Sequence, residues 1–232
     1  MLSNIKNDLR SLGSKKKAEA SAWFFKTGPG EYGEGDVFIG LTVPEQRRIA
    51  KKYRDLSLTD AVKLLRSKEH EFRLTALIIM VEKFRRGSEK EKKMIFDRYL
   101  KNTKWINNWD LVDSSAPYIV GGYLLGRPHD LLFKMARSSD LWQKRIAIIS
   151  TFAFIMSGQP GTTLQIAEIL INDEHDLIHK ATGWMLREVG KRCGESEEEV
   201  FLKKYHKTMP RTMLRYAIER FPEQKRKGYL QK

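Results

Sequence analysis

Trp109 and Asp113 fall one helical turn apart in the segment Asn107-Asn108-Trp109-Asp110-Leu111-Val112-Asp113, so on a helix their side chains share a face. A carboxylate beside an indole is equipped for electrostatic chemistry. The carboxylate offsets a positive charge or orients a water, and the indole face attracts a cation. Seventy-one residues after Asp113 comes Trp184, within His179-Lys180-Ala181-Thr182-Gly183-Trp184-Met185-Leu186-Arg187-Glu188. The same residues also fit structural roles, with Asp113 as an ion partner of Arg145 and both indoles in the core.

Other strings with chemical spacing lead elsewhere. Gly28-Pro29-Gly30-Glu31-Tyr32-Gly33 matches G-x-G-x-x-G, but a dinucleotide fingerprint requires a strand before it and a helix after it. Here a helical stretch, Ala18 to Lys26, precedes it, and Glu31 and Glu34 would repel phosphate, so the segment reads as a loop. His175 and His179 stand four apart without an intervening HExxH glutamate or a clear third soft ligand, so no metal and no cofactor is expected. The remaining His70, His129 and His206 assemble no convincing Ser-His-Asp or Cys-His hydrolase.

The elements that must position Trp109 and Asp113 are helices. Capping spacings recur at Thr42-Val43-Pro44-Glu45, Ser57 to Asp60, Ser88 to Glu91 and Ser196 to Glu199, each followed by apolar residues at three- to four-residue intervals. About twelve helices are predicted, joined at Gly87, Gly126, Gly158, Cys193-Gly194 and Pro222, in one all-α domain over 1–232. Aligning Arg73, Trp109, Arg145, Lys180 and Arg215 gives steps of 36, 36, 35 and 35 residues. Two positions on, the column reads Thr75, Leu111, Ala147, Thr182, Ala217; three on, it reads Ala76, Val112, Ile148, Gly183, Ile218. Small and apolar residues at a fixed step suggest stacked helix pairs, a HEAT-like solenoid rather than an irregular bundle. In a solenoid the shared position of Arg73, Arg145, Lys180 and Arg215 would form a basic track on a curved concave face. Asp113 interrupts that pattern, standing where other repeats place Leu77 or Ile149.

Composition narrows the partners. The 232 residues carry 43 Lys+Arg against 29 Asp+Glu, a net charge of +14. A basic chain of this kind meets nucleic acid, ribosomes or acidic partners. One cysteine, Cys193, excludes a disulfide scaffold, and no stretch reads as a membrane span or secretory signal. A cytoplasmic protein is expected.

These segments, together with Trp142-Gln143-Lys144-Arg145-Ile146-Ala147-Ile148, resemble the AlkD family of HEAT-like-repeat DNA glycosylases. Similarity runs from about Ala18 to Phe221, with the motifs in the family's order. The resemblance implies excision of cationic N3- and N7-alkylpurines from duplex DNA by a monomer, associated with the nucleoid when bound to DNA. It assigns the catalytic cleft to Trp109, Trp184, Asp113 and Arg145. The family's further cleft aromatic falls on Phe24 or Phe25, with Phe24 preferred. Its DNA-contacting turn resembles Gly40 to Arg47, which places Thr42, Pro44 and Arg47 at DNA beside Arg73, Lys180 and Arg187. A non-catalytic DNA binder, or a scaffold for a protein partner, is the alternative.

Overall fold

The computed structural model describes residues 1–231, and these form helices joined by turns and by one longer Gly-rich loop over 25–42. Among the described residues no strand forms; Val37 and Glu69 make one isolated parallel bridge. The chain divides into two compact units, the first covering Met1–Ile119 and the second beginning at Val120.

The first unit contains α1 (Leu2–Ser11), α2 (Lys15–Phe24), α3 (Val43–Lys52), α4 (Leu58–Leu65), α5 (His70–Arg86), α6 (Glu89–Leu100) and the short α7 (Trp109–Asp113). Its centre is α5, which packs on α3, α4, α6 and α7. Capping follows the residue spacing. Thr42 and Glu45 close a full capping box on α3, Ser88 and Glu91 do so on α6, and Ser57 caps α4 through the Asp60 amide.

The second unit contains α8 (Gly122–Leu124), α9 (Asp130–Ala136), α10 (Leu141–Ser150), α11 (Phe152–Met156), α12 (Gly161–Ile169), α13 (Asp176–Arg192), α14 (Glu195–Tyr205), α15 (Arg211–Ala217) and α16 (Glu223–Leu230). Here α13 is central and packs on α10, α11, α12, α14 and α15. Leu186, Leu202, Met213, Leu214 and Ile218 belong to an apolar core around it. The cap expected at Ser196 is not used: Gly194 precedes α14, and Ser196 lies inside its first turn. Glu199 is drawn away to Lys225 and Tyr229.

The two columns beside the repeat position are buried in every instance, from Thr75 and Ala76 on α5 to Ala217 and Ile218 at the end of α15. Small size matters most at Gly183. A Cβ there would run into the Met213 carbonyl and come within 2.6 Å of the Tyr216 Cβ, so α13 and α15 meet only because no side chain intervenes. The repeat position itself is not uniform. Arg73 and Arg145 are buried, Trp109 and Lys180 are half-buried, and Arg215 is exposed. Arg73 therefore does not join an exposed basic track, because its guanidinium is committed to a buried ion pair.

Candidate functional site

The positioning of α7 begins with its cap. The Asn108 Oδ1 accepts the Trp109 amide at 2.8 Å, and its Nδ2 reaches the Asp36 carboxylate at 3.4 Å. Asp110, in the first turn, uses Oδ1 on the Leu111 amide at 2.8 Å and Oδ2 on the His70 ring at 2.8 Å. One turn on, Asp113 ends the helix, half-buried. Below it, the Tyr99 hydroxyl and Ser115 pair at 3.0 Å, and Ser115 donates to the Leu111 carbonyl at 2.5 Å. Burial, reinforced by the charge of Asp113, holds the Tyr99 phenol well above its usual pKa.

Trp109 sits in an aromatic stack. Phe25 lies face-on to it at 5.2 Å, and Phe24 meets it edge-on at 5.9 Å. Phe38 stacks on Phe25 at 5.1 Å and on His70 at 4.6 Å. Both phenylalanines considered for the cleft thus touch Trp109. They differ in access: Phe25 is held between rings, whereas Phe24 is 55% exposed. Phe24 is the more exposed of the two.

Behind the stack lies a buried charge network. Asp36 Oδ1 accepts from Arg73 Nη2 at 2.7 Å, while Asp36 Oδ2 faces His70 Nδ1 at 3.0 Å. Burial opposes a charge on His70. The charge and hydrogen bond of Asp110 and the hydrogen bond of Asp36 outweigh it, so the ring titrates above its usual pKa. The neighbouring Glu71 carboxylate accepts the amides of Ile39, Gly40 and Leu41 at 2.8 to 3.2 Å, fixing the chain after the Gly-rich loop. Gly40 has φ +84°, and a Cβ there would come within 2.7 Å of the Ala18 amide nitrogen, so this close approach requires glycine. Within the Gly-rich loop, Glu31 accepts from the Gly28 amide and Glu34 from the Gly30 amide, each at 2.9 Å. The carboxylates serve turns.

The helix start at Thr42 presents Thr42, Pro44 and Arg47 as exposed residues. The Thr42 hydroxyl bonds Glu45 at 2.8 Å, and Lys17 reaches the same carboxylate at 3.2 Å. Thr42, through its amide and its hydroxyl, together with Lys17, lowers Glu45 to about 2. Arg47 also lines a groove of about 440 Å³ with Lys51, Arg54, Arg85 and Tyr118, in which the Arg85 guanidinium lies 4.6 Å from the Tyr118 ring centre.

In the second unit, Arg145 on α10 donates from Nη1 to the Leu177 carbonyl at 2.6 Å. Trp184 on α13 is half-buried, its ring 6.4 Å from Phe152. Lys180 pairs with Asp176 at 2.6 Å, and Arg187 pairs with Glu219 and, at 3.6 Å, with Glu188. The imidazoles of the i, i+4 pair are turned to capping and backbone: His175 accepts the Leu177 amide at 3.1 Å, and His179 meets the Asp173 carbonyl. Residue spacing missed Asp36, His70, Glu71 and Asp110. The available signal was polar residues crowding the start of α5 and the first turn of α7, where a helix facing a core should be apolar.

The model of the DNA alkylation repair enzyme family matches residues 5–221. The chain belongs to that family. Among solved structures, it resembles a predicted DNA alkylation repair enzyme from Enterococcus faecalis at 17% identity and a TM-score of 0.70, covering 91% of this chain and 97% of that one. At that identity the likeness concerns the fold. No curated protein matches the chain. Among the described residues, no helix of this family member is long and apolar enough to cross a membrane.

Proposed function

We propose that the protein is a DNA glycosylase that hydrolyses the N-glycosidic bond of cationic N3- or N7-alkylated purines in duplex DNA. The observation that carries this reading is the Asp113 carboxylate at the end of α7, one turn from a Trp109 ring braced by Phe25, in a member of an alkylation repair family. Cleaving the glycosidic bond builds positive charge on the sugar. The C1′–N electron pair passes to the purine and cancels the charge that alkylation placed there, so the base leaves without being protonated. Asp113 stabilises the sugar cation and accepts a proton from the water whose oxygen bonds C1′, leaving an abasic site and the free base.

The Trp109 ring attracts the cationic nucleotide through its face, at about 0.5–2 kcal/mol. Arg145 and Trp184, from the second unit, carry the roles the resemblance gives them. Arg47, Lys180 and Arg187 hold phosphates, a task that suits the net charge of +14, and Thr42 and Pro44 belong to the DNA-contacting turn that the resemblance places before Arg47. The 35–36 residue step is read as HEAT-like helix pairs, supported by the burial of both flanking columns and by the close approach at Gly183.

Release of free 7-methylguanine from methylated duplex by the purified protein tests the proposal. Duplex binding without release would make it a passive binder, and no duplex binding would leave the scaffold reading.

A further inference from the structure

His70 is the least expected member of the network, because both of its ring nitrogens face carboxylates at hydrogen-bond distance: Nδ1 to Asp36 at 3.0 Å and Nε2 to Asp110 at 2.8 Å. A neutral imidazole has one N–H and one lone pair, so it can donate to only one of them. The other contact would set a lone pair against a carboxylate oxygen. Both contacts are favourable only for the cation. The charges agree with this: Asp36 and Asp110 against Arg73 and the imidazolium sum to zero, in a site where the side chains of Asp36, His70 and Arg73 are at most 3% exposed. The ring packs against Phe38 at 4.6 Å and Phe25 at 5.0 Å, and Phe25 passes the contact on to Trp109.

We propose that His70 is a positioning residue: as a doubly hydrogen-bonded cation between Asp36 and Asp110, it fixes the first turn of α7 and, through it, the Trp109 ring and the Asp113 carboxylate. The proposal rests on the reading of Asp113 and Trp109 as the reacting pair. When His70 loses its proton, one of the two carboxylates must turn away. Asp110 lies within the first turn of α7, and Asp36 holds Asn108, its cap, so either loss loosens the helix. The charged groups facing the ring are Asp36 from the Gly-rich loop, Asp110 from α7, and Arg73 from α5, whose Nη2 is 3.3 Å from Nδ1. Because the folded pKa of His70 is raised above its ordinary value of 6.5, the brace is complete below that value and is lost as pH rises through the higher one.

The test follows two signals from pH 6 to pH 10: the Trp109 indole resonance, assigned with Trp109→Phe, and single-turnover release of 7-methylguanine. In the wild type both are expected to change along one alkaline titration. In His70→Gln that titration disappears from both, and release at neutral pH slows on the order of 10–100-fold while duplex affinity holds, as expected when reacting groups are misplaced rather than removed. Asp110→Asn keeps an acceptor without its charge and moves the titration to lower pH. If the wild type releases no base, but its Trp109 signal titrates and His70→Gln abolishes that step, the brace stands and the glycosylase reading falls. A flat Trp109 signal in the wild type, or an unchanged titration in His70→Gln, overturns the proposal. Should His70→Gln fail to fold, Asp110→Asn decides: a shifted titration supports the brace and an unshifted one overturns it.

Discussion

Asp36 in the first unit and Glu198 in the second are both buried carboxyl groups, and they settle in opposite states. For each, burial is the largest influence and favours the neutral acid. Around Asp36, His70 and Arg73 supply hydrogen bonds and positive charge, and the carboxyl falls below its usual range. Glu198 has a buried Oε1 with no hydrogen-bond partner and feels the repulsion of Glu195, so it rises to about 8. The protein thus uses buried charge where an element must be oriented, at α7. In the second unit, Glu198 on α14 meets no such partner and is carried as a neutral acid, whereas Glu188 on α13, paired with Arg192 at 2.8 Å, stays ionised. Closely placed partners, not burial, decide whether a buried acid is an ionised brace.

The contrast predicts opposite signs for matched substitutions. Asp36→Asn leaves two buried cations against one carboxylate and should destabilise by about 3–5 kcal/mol, read from denaturant unfolding. Because the pKa of Asp36 is lowered, its contribution exists above the unfolded value of 3.8 and shrinks as pH falls through the folded value, so the gap to wild type closes in acid. An unchanged midpoint at neutral pH would remove Asp36 from the brace. Glu198→Gln should do the reverse. The wild type loses stability as pH rises from 4.5 toward about 8, where ionising Glu198 opposes the fold, and glutamine carries no such cost. The variant should match wild type at pH 4 and melt higher at pH 9; equal melting temperatures at both would show that the carboxyl is not held neutral.

Smaller effects sharpen the picture. Ser88→Ala removes a working cap and should cost about 1 kcal/mol, whereas Ser196→Ala, inside a first turn, should stay within about 0.5 kcal/mol. Equal costs, measured by thermal melts, would contradict the assigned start of α14. Arg47→Ala should leave stability alone and reduce the log–log salt slope of duplex binding by about 0.9. An unaltered slope would take Arg47 out of the phosphate contacts.

How much of this was legible in the residues depends on the range of the force involved. The helices, the capping boxes of α3 and α6, and the buried columns from Thr75 to Ala217 follow from local spacing, and the structure agrees with them. Phe24 and Phe25 came from the resemblance and not from spacing, and both rings lie against Trp109. What the residues concealed was long-range pairing. Arg73 looked like one more surface cation because Asp36, thirty-seven residues earlier, gave no sign of meeting it. Nor does the spacing connect Asp110 to His70, forty residues away. Ser196 misled for a local reason: Gly194 turns the chain at φ +134° and starts α14 early.

The proposed glycosylase reaction requires Asp113 to act on a developing sugar cation, and Asp113→Asn tests this most directly. The substitution keeps shape and removes charge. Single-turnover release of 7-methylguanine should fall by ~10²–10³, with the melting temperature and duplex affinity near wild type. A folded Asp113→Asn protein that releases base at the wild-type rate would contradict the account.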